Sequence, residues 1–232
     1  LNLKYTNGGV NKQPDEFVNL QKMTKGYVNR MVLGNFMDYV ISKIIMVNFP
    51  KNIKSFDLNV IHKYPNFLQS AHNKKVYHNY TDKISDWRDI IPDIYYISSY
   101  KMDNVNEELK EYILGVEMYQ YLCDLSKGIV NFIKKNHSDV KDIFTHYNIT
   151  YDAIRGELDL LIDDHLIEIK SSFYQTCTLP NLSQALIYGY LIEKKEVPIN
   201  KVSIYNPLMG TITSFDTSEF DFSKFKTKIY NY

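Results

Sequence analysis

The spacing of hydrophobic residues changes along the chain, from helical in the first part to strand-like in the second. Residues 26–47 and 104–136 carry apolar side chains three and four positions apart, which predicts two long helices, with Gly115 and Gly128 as candidate interruptions of the second. Residues 1–25 are polar and contain turn-forming residues, so we expect an extended or looped entry to the fold.

The remainder of the first half is less regular. Residues 50–92 contain many aromatic side chains without a clear period, which favours short helices joined by loops. The segment DIYYISSY at 93–100 is rich in β-branched and aromatic residues and predicts a strand.

Strand-like segments dominate after residue 140. One helical pattern interrupts them at 181–194, and it begins near Asn181 or Ser183. The last two segments, separated by a turn signal, predict a hairpin. The predicted strands are DIFTHYNI, IRGELDLLI, HLIEIKSS, KVSIYNP and GTITSFD.

This order of elements predicts an α/β fold of the α+β type, with a mixed central sheet flanked by helices and a helical N-terminal elaboration. We expect a single domain in which residues 1–140 are mainly helical, residues 141–216 form the core and residues 217–232 form a C-terminal tail.

Composition narrows the class of protein. The chain has 27 lysine and arginine residues and 27 aspartate and glutamate residues, so its formal net charge is zero. A neutral total argues against bulk coating of a polyanion but leaves room for a local basic groove. The two cysteines, Cys123 and Cys177, are far apart, which fits a reducing intracellular compartment better than a disulfide scaffold. Two thiolates are too few for a four-cysteine iron–sulfur cluster. The apolar run 39–49 contains Lys43 and is too short to cross a bilayer, so no membrane partner is expected. Because the chain begins with Leu1, we expect a trimmed chain or a piece of a longer protein.

Charged residues occupy alternate positions of two predicted strands in IRGELDLLIDDHLIEIKSS, at 154–172. If Asp163 and Asp164 form a two-residue turn, pairing places Asp159 opposite Glu168. Side-chain alternation then gives the hairpin one apolar face and one charged face. The apolar face comprises Leu158, Leu160, Ile162, Ile167 and Ile169, and the charged face comprises Glu157, Asp159, Glu168 and Lys170.

Two opposed carboxylates repel each other, and a hard divalent cation such as Mg²⁺ or Mn²⁺ between them would offset that repulsion. We expect one or two ions bound by Asp159, Glu168 and the carbonyl of Ile169. Lys170 would then hold or deprotonate a metal-activated water, or stabilise charge that develops on a phosphate. The alternative is a solvated polar face on an edge hairpin.

The sequence GELD followed by IEIKSS resembles the core of the PD-(D/E)xK nuclease superfamily. The resemblance implies a restriction-endonuclease-like core in which Asp159 and Glu168 are metal ligands and Lys170 is the catalytic lysine. In SQALIYGYL, Gln184 and Tyr188 lie on one helical face and resemble the Gln-x-x-x-Tyr motif of the RecB-like and lambda-exonuclease group. The glutamine of that motif lies beside the metal site and holds the lysine or the scissile strand.

The same group supplies an upstream acid or histidine from an N-terminal helix, typically after a glycine. Asp38, four residues after Gly34, is the matching candidate for a further metal ligand, and His62, His72 and His78 are its rivals.

Glu157 shares the predicted face of Asp159 and is a candidate ligand for a second ion. The Glu-x-Asp pair that these two residues form also resembles the decapping nucleases that process RNA 5′ ends. Contacts with phosphates and bases are expected from nearby polar and aromatic side chains. These are Arg155, Ser171, Ser172 and Tyr188.

We therefore expect a Mg²⁺- or Mn²⁺-dependent phosphodiesterase that acts on nucleic acid, more on DNA than on RNA, with an exonuclease favoured; the resemblance implies a role in DNA repair or recombination. KFKTKIY at 224–230 and NFIKKNH at 131–137 are candidate basic contacts. The sequence has no Walker A pattern, so a helicase partner would be a separate chain or part of a longer one. The alternatives are a non-catalytic nucleic-acid-binding or assembly module on the same fold and an RNA 5′-end-processing nuclease.

Overall fold

The computed structural model confirms a mixed α/β architecture with a seven-stranded sheet flanked by helices. Within its described residues, no helix combines the length and the apolar character that a membrane crossing needs. The described residues are 3–15, 17–56, 61, 63–82, 86–152, 154–174 and 176–222. The helices are α1 (Phe17–Met23), α2 (Tyr27–Asn48), α3 (Ala71–Thr81), α4 (Trp87–Ser98), α5 (Glu107–Ile113), α6 (Val116–Asn136) and α7 (Leu179–Glu193), and a 3₁₀ turn covers Phe67–Gln69.

The sheet has the strand order β1-β7-β6-β5-β4-β3-β2, so its two edge strands come from the N-terminal part of the chain. Neighbouring strands are antiparallel except for β5 with β6 and β2 with β3, which are parallel. The strands are β1 (Tyr5–Gly9), β2 (Ile53–Phe56), β3 (Ile143–Tyr151), β4 (Ile154–Ile162), β5 (His165–Ile169), β6 (Lys201–Asn206) and β7 (Thr211–Asp216).

Apolar clusters cover both faces of the sheet. The larger cluster joins the N-terminal helices α1 to α6 to strand residues that include Leu160, Ile162, Ile167 and Ile169. The smaller cluster joins α7 to the opposite face. Its strand residues are Ile149, Leu158, Leu161, Leu166 and Val202. Because helices cover both faces, the hairpin β4–β5 lies inside the protein rather than at a solvated edge.

The predicted alternation of the hairpin is correct next to the turn and wrong further along. Ile162 pairs with His165 and Leu161 with Leu166, as expected from the Asp163–Asp164 turn. Leu158, however, packs in the α7 cluster and not with Leu160.

A backbone irregularity at His146 accounts for this change of face. His146 has a left-handed φ of 49° and lies across from Asp159, between the paired positions Thr145↔Leu160 and Tyr147↔Leu158. An ordinary strand residue does not adopt this conformation, and it interrupts the two-residue period. Phe144 and Tyr147, three residues apart, consequently pack in the same cluster.

Several elements differ from the sequence predictions, and one of them is strand β2, which lies in the stretch 50–92 that was expected to form helices and loops. Residues 93–100 are not a strand, because Ile90, Ile94 and Ile97 recur at helical spacing and the side chain of Asp86 caps the start of α4. The polar entry at 1–25 contains α1, together with β1, which pairs with β7. Helix α7 begins earlier than expected, because Thr178 caps it through the N–H of Asn181.

Lys43 interrupts the most apolar stretch of the sequence, and its side chain is buried in α2. Its ammonium group donates to the carbonyls of Tyr80 and Asp82 at the end of α3. Cations are favourable at this end of a helix, because the last carbonyls have no helical partners. The buried lysine therefore links α2 to the C-terminal end of α3 and does not interrupt α2.

Gly156 allows α7 to approach β4 closely. A Cβ atom at this position would lie 2.4 Å from Cε1 of Tyr188. We expect Gly156→Ala to lower the free energy of unfolding by about 1–3 kcal/mol, the range for an overpacked contact.

The matched control is Gly34→Ala, because a Cβ atom at that helical position meets no atom within 4 Å. We expect this variant to be more stable than wild type by about 0.5–1 kcal/mol. Urea denaturation of both variants measures the difference, and equal effects would contradict the close approach of α7.

Candidate active site

A fork forms where β4 and β5 stop pairing. Their described ladder ends at Leu160↔Ile167, and the next N–H of β5 that faces β4, that of Ile169, donates to Oδ2 of Asp159 at 2.7 Å. Because the N–H and C=O of one strand residue point to the same side, the carbonyl of Ile169 also faces the fork. The side chain of Asp159 thus replaces a backbone partner at the point of separation.

Glu168 and Lys170 form a close ion pair beside Asp159. Nζ of Lys170 lies 2.6 Å from Oε1 of Glu168. Glu168 is 1% exposed, whereas Lys170 is half-buried. The second carboxylate oxygen of Glu168, Oε2, is buried and has no hydrogen-bond partner among the described residues. A solvated polar hairpin would not bury this group.

Burial and mutual repulsion disfavour the charged form of the carboxyl groups. Burial, followed by repulsion from Asp159, raises the pKa of Glu168 to about 8. Burial also raises the pKa of Asp159, although Lys170, His146 and the N–H of Ile169 oppose the change. For Lys170, burial lowers the pKa, but the attraction of Glu168 and Asp159 outweighs it and the pKa lies above the ordinary value. Lys170 is therefore an ammonium group at neutral pH.

Asp38, on α2, interacts electrostatically with the cluster formed by Asp159, Glu168 and Lys170. Burial raises its pKa well above the ordinary value, and repulsion from Asp159, Glu168 and Glu157 adds to the effect while Lys170 opposes it. The predicted upstream acid therefore lies within electrostatic range of the hairpin carboxylates. An exposed helix aspartate, the other interpretation of Asp38, would not interact with them.

The predicted pair Gln184 and Tyr188 borders the cluster from α7. Nε2 of Gln184 donates to the hydroxyl of Tyr188 at 2.9 Å. Burial raises the pKa of Tyr188, and the charges of Glu168, Asp159 and Lys170 act on it as well. Helices α2 and α7 therefore flank the fork and contribute one acid and one polar pair.

Sequence reasoning missed His146. Its Nδ1 lies 3.1 Å from Oε1 of Glu157, and its ring centroid lies 5.5 Å from that of Tyr39, the neighbour of Asp38. The signal was present, because extending the register of the hairpin to the segment DIFTHYNI places His146 opposite Asp159.

Of the residues expected to contact phosphate, Ser171 lies nearest the cluster along the chain. It follows Lys170 directly, and its hydroxyl is buried with no hydrogen-bond partner in the described part of the chain. The Ser172 hydroxyl accepts a hydrogen bond from the N–H of Tyr174, and the Ser172 carbonyl accepts one from the amide of Asn206. Arg155 is exposed, about 13 Å along β4 from Asp159 at the usual rise of a strand.

The alternative histidines are not placed in the fork. His72 packs edge-on against Tyr96, and the ring centroid of His78 lies 6.0 Å from that of Tyr77. His62 lies outside the described residues. The basic stretch at 131–137 ends α6 with exposed lysines, and the stretch at 224–230 lies outside the described residues as well.

No three His, Cys, Asp or Glu side chains of the described residues already converge in a metal-holding arrangement. The donor set nevertheless fits a hard divalent cation. Glu168 leaves a buried oxygen without a partner, and Asp38, Asp159 and Glu168 all have raised pKa values. Carboxylate oxygens are the donors that Mg²⁺ and Mn²⁺ prefer, and a cation would relieve this repulsion.

The chain matches no family model, no curated protein and no solved structure.

The raised pKa of Glu168 predicts how stability depends on pH in metal-free buffer. Between about 4.5 and 8, folded Glu168 holds a proton that the unfolded chain releases, so this group makes the protein less stable as pH rises through that window. Glu168→Gln should remove this loss and stabilise the protein at pH 8 by more than about 1.4 kcal/mol, the equivalent of one pH unit.

Denaturation in EDTA at pH 5, 6, 7 and 8 measures the effect. Glu107→Gln, which changes an exposed glutamate paired with Lys110, is the control and should leave the pH dependence unchanged. Parallel pH profiles for wild type and Glu168→Gln would contradict the raised pKa of Glu168.

Proposed function

We propose that this protein is a metal-dependent nuclease that hydrolyses phosphodiester bonds of nucleic acid, DNA in preference to RNA. One observation carries the proposal: the carboxyl groups of Asp38, Asp159 and Glu168 repel one another electrostatically, and the ammonium group of Lys170, 2.6 Å from Glu168, opposes that repulsion. Burying several acids together is costly unless cations compensate them. Such clusters are found at sites that bind metal ions and phosphates.

The components of the fork have distinct roles in this proposal. Asp38, Asp159 and Glu168, with the carbonyl of Ile169, would hold the cation. A bound divalent ion supplies Lewis acidity toward the scissile phosphate and lowers the pKa of a bound water.

Lys170 acts in this proposal as a charged hydrogen-bond donor and not as the base. The attraction of Glu168 and Asp159 raises the pKa of Lys170 above its ordinary value, which favours the ammonium form at neutral pH. An ammonium group aimed at the phosphate stabilises the negative charge that develops in the transition state. The proposal therefore takes the second of the two roles that the sequence left open for the lysine, stabilisation of charge on the phosphate.

The substrate approaches between α2 and α7. The amide of Gln184 and the hydroxyl of Tyr188 already hydrogen-bond to each other, which gives the wall of the fork a fixed polar edge. The unpaired hydroxyl of Ser171 adds a donor next to Lys170. Phosphate oxygens of a nucleic-acid strand are suitable acceptors for such groups.

Cleavage of end-labelled DNA and RNA, single- and double-stranded, with Mg²⁺ or Mn²⁺ tests the function. Asp159→Asn should abolish cleavage, and Lys170→Met should slow it at least about 100-fold, the usual effect of removing one charge-stabilising donor. Lys110→Met is the matched control, because Lys110 pairs with Glu107 on the surface and should not affect the rate. The product ladder reports whether cleavage starts from an end, as an exonuclease requires.

A thermal shift with Mn²⁺ separates the outcomes. Stabilisation of wild type but not of Asp159→Asn, together with cleavage, supports the proposal. Strand binding without a metal-dependent shift or cleavage would instead identify a non-catalytic nucleic-acid-binding module. Cleavage confined to RNA 5′ ends would assign the substrate to RNA.

A further inference from the structure

His146 is a buried histidine whose backbone conformation is unusual for a strand residue. It is 4% exposed, and its backbone adopts a left-handed conformation at the one position where β3 and β4 interrupt their described ladder. Strained backbone of this kind persists where the surrounding structure imposes it, and it concentrates at functional sites. The strain places the imidazole on the side of α2, against the ring of Tyr39.

The contact with Glu157 fixes the tautomer of the imidazole. Nδ1 lies 3.1 Å from a carboxylate oxygen of Glu157, which can only accept a hydrogen bond when ionised. In the neutral imidazole, Nδ1 of His146 therefore carries the proton and Nε2 has the lone pair.

That lone pair has no partner. Nε2 of His146 is buried and makes no hydrogen bond among the described residues, and the same holds for Oε2 of Glu168. Both side chains act electrostatically on Asp159, which lies between β3 and β5. A cation bound beside Asp159 would give both atoms a partner, with Glu168 ionised and His146 neutral.

From these contacts we infer that His146 is a nitrogen ligand of the bound cation and that Glu157 is the carboxylate that orients it. This inference rests on the proposed metal-dependent function. A histidine that binds a metal through one ring nitrogen usually donates the other N–H to a carboxylate, as His146 does to Glu157. Glu157 therefore acts through the imidazole rather than as a direct ligand of a second ion.

An imidazole ligand changes the preference among cations. Mg²⁺ favours oxygen donors, whereas Mn²⁺ also accepts imidazole nitrogen. Wild type should therefore bind Mn²⁺ more tightly than Mg²⁺, and the difference should shrink when the nitrogen is removed.

Titration with Mn²⁺ alone and pulsed EPR of the Mn²⁺-loaded protein test the assignment. We expect a ¹⁴N coupling in wild type that disappears in His146→Asn, together with a loss of Mn²⁺ affinity of about 10-fold or more and a smaller loss for Mg²⁺. Asparagine tolerates the left-handed backbone, and His146→Gly provides a second variant without strain if the first does not fold. His72→Asn, which changes an exposed histidine packed on Tyr96, is the matched control and should keep the coupling.

Glu157→Gln should keep the ¹⁴N coupling but weaken Mn²⁺ binding, because it changes only the group that orients the ring. A ¹⁴N coupling that persists in folded His146→Asn, or Mn²⁺ bound to wild type without any nitrogen coupling, would overturn the assignment and leave the carboxylate site intact. Failure of wild type to bind Mn²⁺ would overturn the proposed function and this inference together.

Discussion

The arrangement at the fork depends on one electrostatic constraint, which is that buried carboxyl groups share the ammonium group of Lys170. Glu168 accepts a hydrogen bond from that ammonium group, and Asp159 accepts one from the backbone N–H of Ile169. Asp38 interacts with both carboxyl groups electrostatically from α2. Burial makes every uncompensated charge costly, so these acids have raised pKa values. Such a cluster favours neutral acids or a bound cation, and a cation stabilises it without proton uptake.

The fold creates this environment by covering both faces of one hairpin. The N-terminal helices pack on one face and α7 on the other, so the end of β5 lies between them. The close contact of Gly156 with Tyr188 brings α7 near the carboxylates. The left-handed residue His146 shifts the faces of β3 and β4 by one position, and Leu158 enters the core beside α7.

Local patterns in the sequence identified most of the elements and the centre of the candidate site. The period-two segments and the Asp163–Asp164 turn correctly predicted the pairing next to the turn, because a two-residue turn fixes its register. The prediction of a strand at residues 93–100 was wrong. The amphipathic helix there is rich in isoleucine and tyrosine, which are also the residue types that strands favour. Composition alone therefore did not separate a helix from a strand there.

The sequence by itself determined which residues carry the charge and how they are spaced: Asp159, Glu168 and Lys170 on adjacent strands, and Gln184 and Tyr188 on one helical face. Tertiary structure decided which distant residues join them. Asp38 lies more than a hundred positions upstream, and its spacing from Gly34 made it only one candidate among several. The packing of α2 on the sheet brings it into electrostatic range of Asp159 and Glu168. The role of His146 depends on a backbone conformation that breaks the strand period, and only long-range packing imposes it.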